Sequence, residues 1–226
     1  MHRTFVALLD RNHEHAEAFA DRFDDVQDAQ HPPVVTVCCS DSRVLQDHIW
    51  RNDRPGHLFT CGNIGNRVLE RTDAGEVVSG DVLYPIAHTG TDIVVVMGHT
   101  GCGAVTAAYD DLTDGIDEPP GIERCLDLLE SRLEAGIDAL PAGVDRAAAI
   151  NHLVEYNVDR QVEFLVESGE IPPDVTVIGV VYDFQDVYPG QRGEIHVINV
   201  DGTRDTDALR AIHAEIAERI GRLWAY

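Results

Sequence analysis

The chain has 226 residues, 44% of them hydrophobic, enough to bury a core in one domain. Lys+Arg number 17 against 40 Asp+Glu, a formal net charge of -23, and every one of the 17 is Arg. Such a surface repels nucleic acid and anionic membranes, which are bound by clustered Lys and Arg, and no apolar run approaches the roughly 20 residues that cross a bilayer.

The N-terminus, MHRTFVALLDRNHEHAEAF, scatters acids and histidines where a signal peptide has a basic start and an unbroken apolar stretch. A cytoplasmic protein is expected. High net charge favours disorder, but the regular apolar segments argue against it. The acid excess reads instead as adaptation to high salt. At molar salt the Debye length falls to about 3 Å and screens carboxylate repulsion, so a halophilic source is expected.

In chain order, residues 4–27 carry Phe5, Leu8, Leu9, Ala16, Phe19 and Phe23 at roughly helical spacing. Pro32 and Pro33 break the chain, and the β-branched run 34–38 predicts a buried strand. A weaker strand is expected over 57–61, a helix over 81–88, the clearest buried strand over 93–97 and a helix over 102–111. After a turn-rich loop at 115–121 come amphipathic helices over 122–135 and 146–168. Strands are expected over 175–182 and 194–200, antiparallel to each other across the polar connection 183–193, and a closing helix over 206–224. The alternation predicts an α/β fold, a mostly parallel β-sheet flanked by helices with an N-terminal helical arm. No repeat or linker interrupts it: the expectation is one domain, with the arm at 1–30, an α/β core at 31–202 and a C-terminal helix at 203–226.

In parallel sheets, ligands sit beyond the carboxyl ends of the strands. Two segments there carry chemistry: Cys38–Val44 (CCSDSRV) and Gly98–Ala104 (GHTGCGA). If their strands are neighbours, about 4.8 Å apart, Cys39, His99 and Cys102 can converge. Two thiolates and an imidazole suit Zn²⁺, and three protein ligands leave a fourth position for water. Taken alone, a Cys after a strand is usually a small buried apolar residue, and an isolated HxxC is weak, so spacing leaves burial and metal binding both open. Cys38 points away from Cys39 because strand side chains alternate; Cys38, Cys61 and Cys125 read as core or free thiols. Five cysteines at irregular spacing do not form a disulfide framework, and no CxxC points to redox chemistry. Asp41 and Arg43 either pair or stand solvated. Beside a thiolate ligand, Asp41 could accept a proton from zinc-bound water, with Arg43 keeping it ionised, or could itself take the fourth zinc position.

These motifs resemble the β-carbonic anhydrase family. CSDSRV at 39–44 is similar to its first signature and HTGCGA at 99–104 to its second. NIGN at 63–66, NVDRQV at 157–162, VIGVVYD at 177–183 and EIHVINVDG at 194–202 extend the likeness over nearly the whole chain. The resemblance implies reversible hydration of carbon dioxide to bicarbonate and a proton, with Cys39, His99 and Cys102 as zinc ligands. It implies Asp41 and Arg43 as a catalytic dyad, Gln30 as a residue that hydrogen-bonds substrate, and a homodimer or homotetramer clasped by the N-terminal helices. Two positions depart from it. Gly62 stands where members commonly have Arg, and Thr36 where some have Trp, so regulation by bicarbonate at that site is not expected. Two alternatives stand beside it: a carbonyl sulfide or carbon disulfide hydrolase on the same scaffold, and a non-catalytic zinc-binding structural protein.

Overall fold

The computed structural model describes residues 2–226. Its elements in chain order are α1 (Arg3–Phe19), continued by a 3₁₀ turn Ala20–Phe23, β1 (Val34–Cys39), α2 (Gln46–Ile49), β2 (Leu58–Asn63), β3 (Leu69–Thr72), β4 (Gly75–Val78), α3 (Gly80–Thr89), β5 (Ile93–His99) and α4 (Gly103–Asp114). They continue with α5 (Pro120–Asp138), α6 (Arg146–Glu167), β6 (Thr176–Asp183), β7 (Glu194–Val200) and α7 (Thr206–Ile212), followed by a 3₁₀ turn Ala214–Arg219.

Five strands form one sheet in the order β2-β1-β5-β6-β7. The first three pairings are parallel and β6–β7 is antiparallel, as expected. Side chains alternate across the strands, so the sheet feeds two cores. Val35, Val37, Cys39, Val94 and Val96 face the larger one with α4, α5 and α6. Cys38, Val95, Met97 and Val180 line the smaller one on the opposite face. Helix α6 packs directly on β5 at Gly98, where a Cβ would lie 2.7 Å from the Val158 side chain and 2.9 Å from Val154. A larger residue there would push the helix off the strand that ends in His99.

The closing helix expected over 206–224 is corrected. Helix α7 ends at Ile212, because His213 leaves helical geometry (φ -115°, ψ 59°). A 3₁₀ turn and an irregular tail take its place, with Ile220 bridging Val197 of β7. The tail is held by polar contacts to two fully buried carboxylates of α6. Glu155 accepts from the backbone N–H groups of Leu223 (2.7 Å) and Trp224 (3.1 Å). Asp159 accepts from Arg222 (2.6 Å) and the Tyr226 hydroxyl (2.7 Å). Ile220 and Trp224 are buried without a helix, so their helical spacing misleads. The N-terminal helix expected over 4–27 likewise ends earlier, at Phe19, with the 3₁₀ turn after it. The hairpin β3–β4 has no counterpart among the sequence expectations.

Candidate metal centre

Strands β1 and β5 are adjacent, and Cys39 and His99 are their last residues. Cys102 comes three residues later as the N-cap of α4. The potential ligand atoms of Cys39, His99 and Cys102 all lie within 4.8 Å of one another. All three residues are buried, at 6%, 0% and 1% exposure.

The donor set has the character of a metal site. His99 Nδ1 lies 3.0 Å from the Thr100 carbonyl oxygen, which can only accept, so Nδ1 carries the proton and Nε2 presents its lone pair. That Nε2 is buried and has no hydrogen-bond partner. An orphaned buried nitrogen costs free energy unless something binds it. The sulfurs of Cys39 and Cys102 lie within 4.8 Å of each other. This proximity holds the Cys39 pKa well below the usual thiol range, while the same neighbour and burial raise that of Cys102. Two sulfurs and an unpartnered nitrogen therefore converge in a dry pocket, and Cys₂His is one of the zinc ligand sets with an open fourth position. Cys38 and Cys61 differ. Burial pushes each thiol up to about 12, and both stay protonated core residues. No disulfide occurs among the described residues.

Asp41 and Arg43 lie in the irregular segment after β1 and pair closely. Arg43 donates from Nε to Asp41 Oδ1 (2.8 Å), from Nη2 to Oδ2 (2.6 Å) and from its backbone N–H to Oδ1 (2.9 Å). A forked pair of this kind fixes the carboxylate plane. Arg43 holds the Asp41 carboxyl well below the usual carboxylate range, outweighing burial. Asp41 Oδ2 lies 3.8 Å from His99 Nε2, so the pair borders the Cys39–His99–Cys102 cluster. Gln30 is exposed in the irregular segment before β1, and none of the hydrogen bonds around the cluster involves it.

Three neighbours were not legible in the sequence. Phe184, just beyond β6, stacks on His99 with ring centroids 5.6 Å apart and planes at 24°. The Arg43 guanidinium carbon lies 4.5 Å from the centroid of the same ring. Asp183, 1% exposed, accepts from the Thr100 hydroxyl and from the backbone N–H groups of residues 185–188, tying the loop after β6 to the metal loop. Asn151 of α6 accepts from the Gly101 N–H at 2.8 Å. These contacts join segments far apart in the chain, and no local spacing encodes them.

The model of the family described as carbonic anhydrase matches residues 34–191. A carbonic anhydrase of Pseudomonas aeruginosa is 30% identical over 139 residues, 62% of this chain and 61% of the relative. One from Helicobacter pylori is 29% identical over 131 residues, 56% of this chain and 58% of the relative. The chain thus spans about three-fifths of the length of these curated relatives. Among solved structures, the β-carbonic anhydrase CafA of Aspergillus fumigatus superposes with a TM-score of 0.67 at 25% identity, covering 97% of this chain and 100% of that one. A β-carbonic anhydrase of Sordaria macrospora, described as tetrameric, gives 0.68 at 24% identity, over 88% and 98%, a likeness of fold. With the matched region running from the first residue of β1 to beyond β6, the chain belongs to the β-class carbonic anhydrase family.

Proposed function

We propose that this chain catalyses the zinc-dependent, reversible hydration of carbon dioxide to bicarbonate and a proton. One observation carries the reading: a buried Cys39–His99–Cys102 donor cluster bordered at 3.8 Å by a carboxylate that an arginine holds ionised. Cys39 and Cys102 would hold the ion through sulfur and His99 through Nε2. Zinc, when bound, supplies Lewis-acid activation of water, lowering its pKa toward about 7.

The chain's own residues do the rest. Asp41 accepts the hydrogen of the attacking water and so aims a lone pair of its oxygen at the carbon. Arg43 engages both Asp41 oxygens, which keeps the carboxylate ionised and favours its service as an oriented acceptor over direct metal binding. The site's mouth lies on the Asp41 side, since its side chain is 14% exposed and that of His99 is 1%. The proton leaves through that mouth to buffer. Gln30, exposed in the segment before β1, stays the candidate that hydrogen-bonds substrate.

The same reading extends to the assembly and setting. Helix α1 buries none of its residues, and Phe5, Leu8 and Leu9 lie about half exposed along it. An apolar face of that kind suits a second copy of the chain, in a homodimer or homotetramer. Among the described residues no helix is long and apolar enough to cross a membrane. We place the enzyme in the cytoplasm of a cell adapted to high salt, on the strength of the acid excess.

Metal analysis combined with stopped-flow carbon dioxide hydration in high salt tests the reading. One zinc per chain with rapid hydration is expected, both lost together in C39A, H99A and C102A. Stoichiometric zinc retained in those variants refutes the ligand assignment. Zinc without hydration refutes the activity, and sulfide release from carbonyl sulfide in its place would make the chain a related hydrolase.

A further inference from the structure

We propose that Asn151 is a positioning residue of the metal centre, gripping from helix α6 the peptide that orients the His99 imidazole. The inference rests on His99 serving as a zinc ligand.

The geometry turns on one peptide group. The Thr100 carbonyl and the Gly101 N–H belong to the same planar unit and point in opposite directions. The carbonyl accepts from His99 Nδ1 at 3.0 Å, which fixes the tautomer and aims Nε2 into the cluster. The N–H at the other end donates to Asn151 Oδ1 at 2.8 Å. Asn151 therefore holds the far end of the lever that sets the imidazole. An amide that donates at its N–H is also a better acceptor at its carbonyl, so the grip strengthens the bond to His99.

The next peptide carries a second link. The Gly101 carbonyl accepts from Arg43 Nη2 at 3.3 Å, so the residue anchored by Asn151 also supports the dyad. Gly101 adopts φ +61°, where glycine is favoured, and this conformation lets its N–H face α6 while its carbonyl faces Arg43. A Cβ at this position would collide with the Gln185 amide. Gln185 in turn accepts from Asn151 Nδ2 at 3.2 Å, which fixes the orientation of the asparagine. Asn151 is 4% exposed, so water does not compete for the Gly101 N–H. Thr100 has its own anchors, with its N–H on the Tyr182 carbonyl and its hydroxyl on Asp183. Asn151 fixes what those anchors leave free.

Groups that hydrogen-bond a metal ligand directly typically change affinity by about 10–100-fold, and Asn151 acts one bond further out, through the Thr100–Gly101 peptide. N151L, similar in branching and without an acceptor, is expected to weaken Zn²⁺ binding by roughly tenfold, the lower end of that range, in chelator competition, and to shift the visible bands of the Co²⁺-substituted protein. Asn151→Asp keeps the acceptor, and a turn of the Gln185 amide offers its Nε2 to the second carboxylate oxygen; this variant is expected to stay within roughly threefold of the unmutated affinity, with its cobalt bands. If N151L does not fold, N151A takes its place with the same expected direction. A role confined to packing would lower the melting temperature of the metal-free protein and leave zinc affinity and cobalt bands unchanged, and that result overturns the inference. So does N151D binding as weakly as N151L. If the unmutated protein takes up no zinc, the zinc reading fails and the inference with it. Zinc bound equally by unmutated protein and N151L removes the inference alone.

Discussion

The guanidinium of Arg43 lies over the ring of Phe184, 4.5 Å from its centroid, and the same ring stacks with the imidazole of His99 at 5.6 Å. One aromatic side chain thus touches both the Arg43 cation and the cluster. A cation over an aromatic face contributes about 0.5–1 kcal/mol when exposed and about 2 when desolvated. The Arg43 side chain is 51% exposed, which places this pair toward the lower figure.

Replacing Phe184 with Leu keeps the apolar contact and removes the π face. Carbon dioxide hydration is expected to fall by roughly three- to tenfold, the kinetic equivalent of about 1 kcal/mol. Zinc content should stay at that of the unmutated protein, because the ligands have other supports. Stopped-flow rates alongside metal analysis check this; an unchanged rate would show that Asp41 alone holds Arg43 in place.

Asp41→Asn separates the dyad from the metal ligands. Asn keeps the shape and can still accept at one oxygen, but it loses the charge that Arg43 grips at both. Zinc is expected to remain bound while hydration drops by about a hundredfold, the lower end of what a positioned acid–base group contributes. A variant that turns over at the unmutated rate would remove Asp41 from the chemistry. A variant that loses its zinc would make Asp41 a ligand.

The convergence of the three residues was legible in local facts, while spacing left plain burial open and the family resemblance supplied the zinc reading. Two β-branched runs end in a Cys and a His, parallel strands deliver their last residues to one edge, and HxxC lets Cys102 turn back as a helix cap. The supports of the cluster were not. Phe184, Asn151 and Asp183 reach the site through the pairing of β5 with β6 and the packing of α6, and their spacing in sequence carries no periodic signal. The C-terminal tail misled for a related reason. Ile220 and Trp224 fit a helical stripe, yet they are buried by an irregular segment whose backbone is satisfied by Glu155 and whose Arg222 is satisfied by Asp159.

The charge of -23 should make stability depend on salt. Asp21, Asp24, Asp25 and Asp28 are all exposed within eight residues that hold a single cation, Arg22. Raising KCl from 0.1 M to 1 M shortens the Debye length from about 10 Å to about 3 Å and screens that repulsion. The urea midpoint is expected to rise steeply over this range. Sucrose, which acts by exclusion and does not screen charge, should give a smaller gain at equal osmolality. Equal effects from the two solutes, or a midpoint indifferent to KCl, would reject the adaptation to salt.

Glu155 gives stability a pH dependence of unusual sign for a carboxylate. Burial pushes its pKa up to about 7, while Arg222, the Tyr188 hydroxyl and the N–H groups of Leu223 and Trp224 pull it back only in part. In the unfolded chain the value is about 4.3. Between these limits the folded protein keeps a proton that the unfolded chain has released, so stability falls as pH rises. Its contribution is full below about pH 4.3 and is lost by the time pH has risen through about 7, a change on the order of 3 kcal/mol. Glu155→Gln is neutral throughout and lacks this slope, although it also loses an acceptor for the tail, at a cost of about 1–3 kcal/mol that does not vary with pH. The stability of the unmutated protein minus that of E155Q, from urea unfolding at fixed high KCl, should therefore decline between about pH 4.5 and 7.5 and then level off. Parallel curves would mean that Glu155 is ionised in the folded protein across the whole range and that its hydrogen bonds, with Arg222, outweigh its burial.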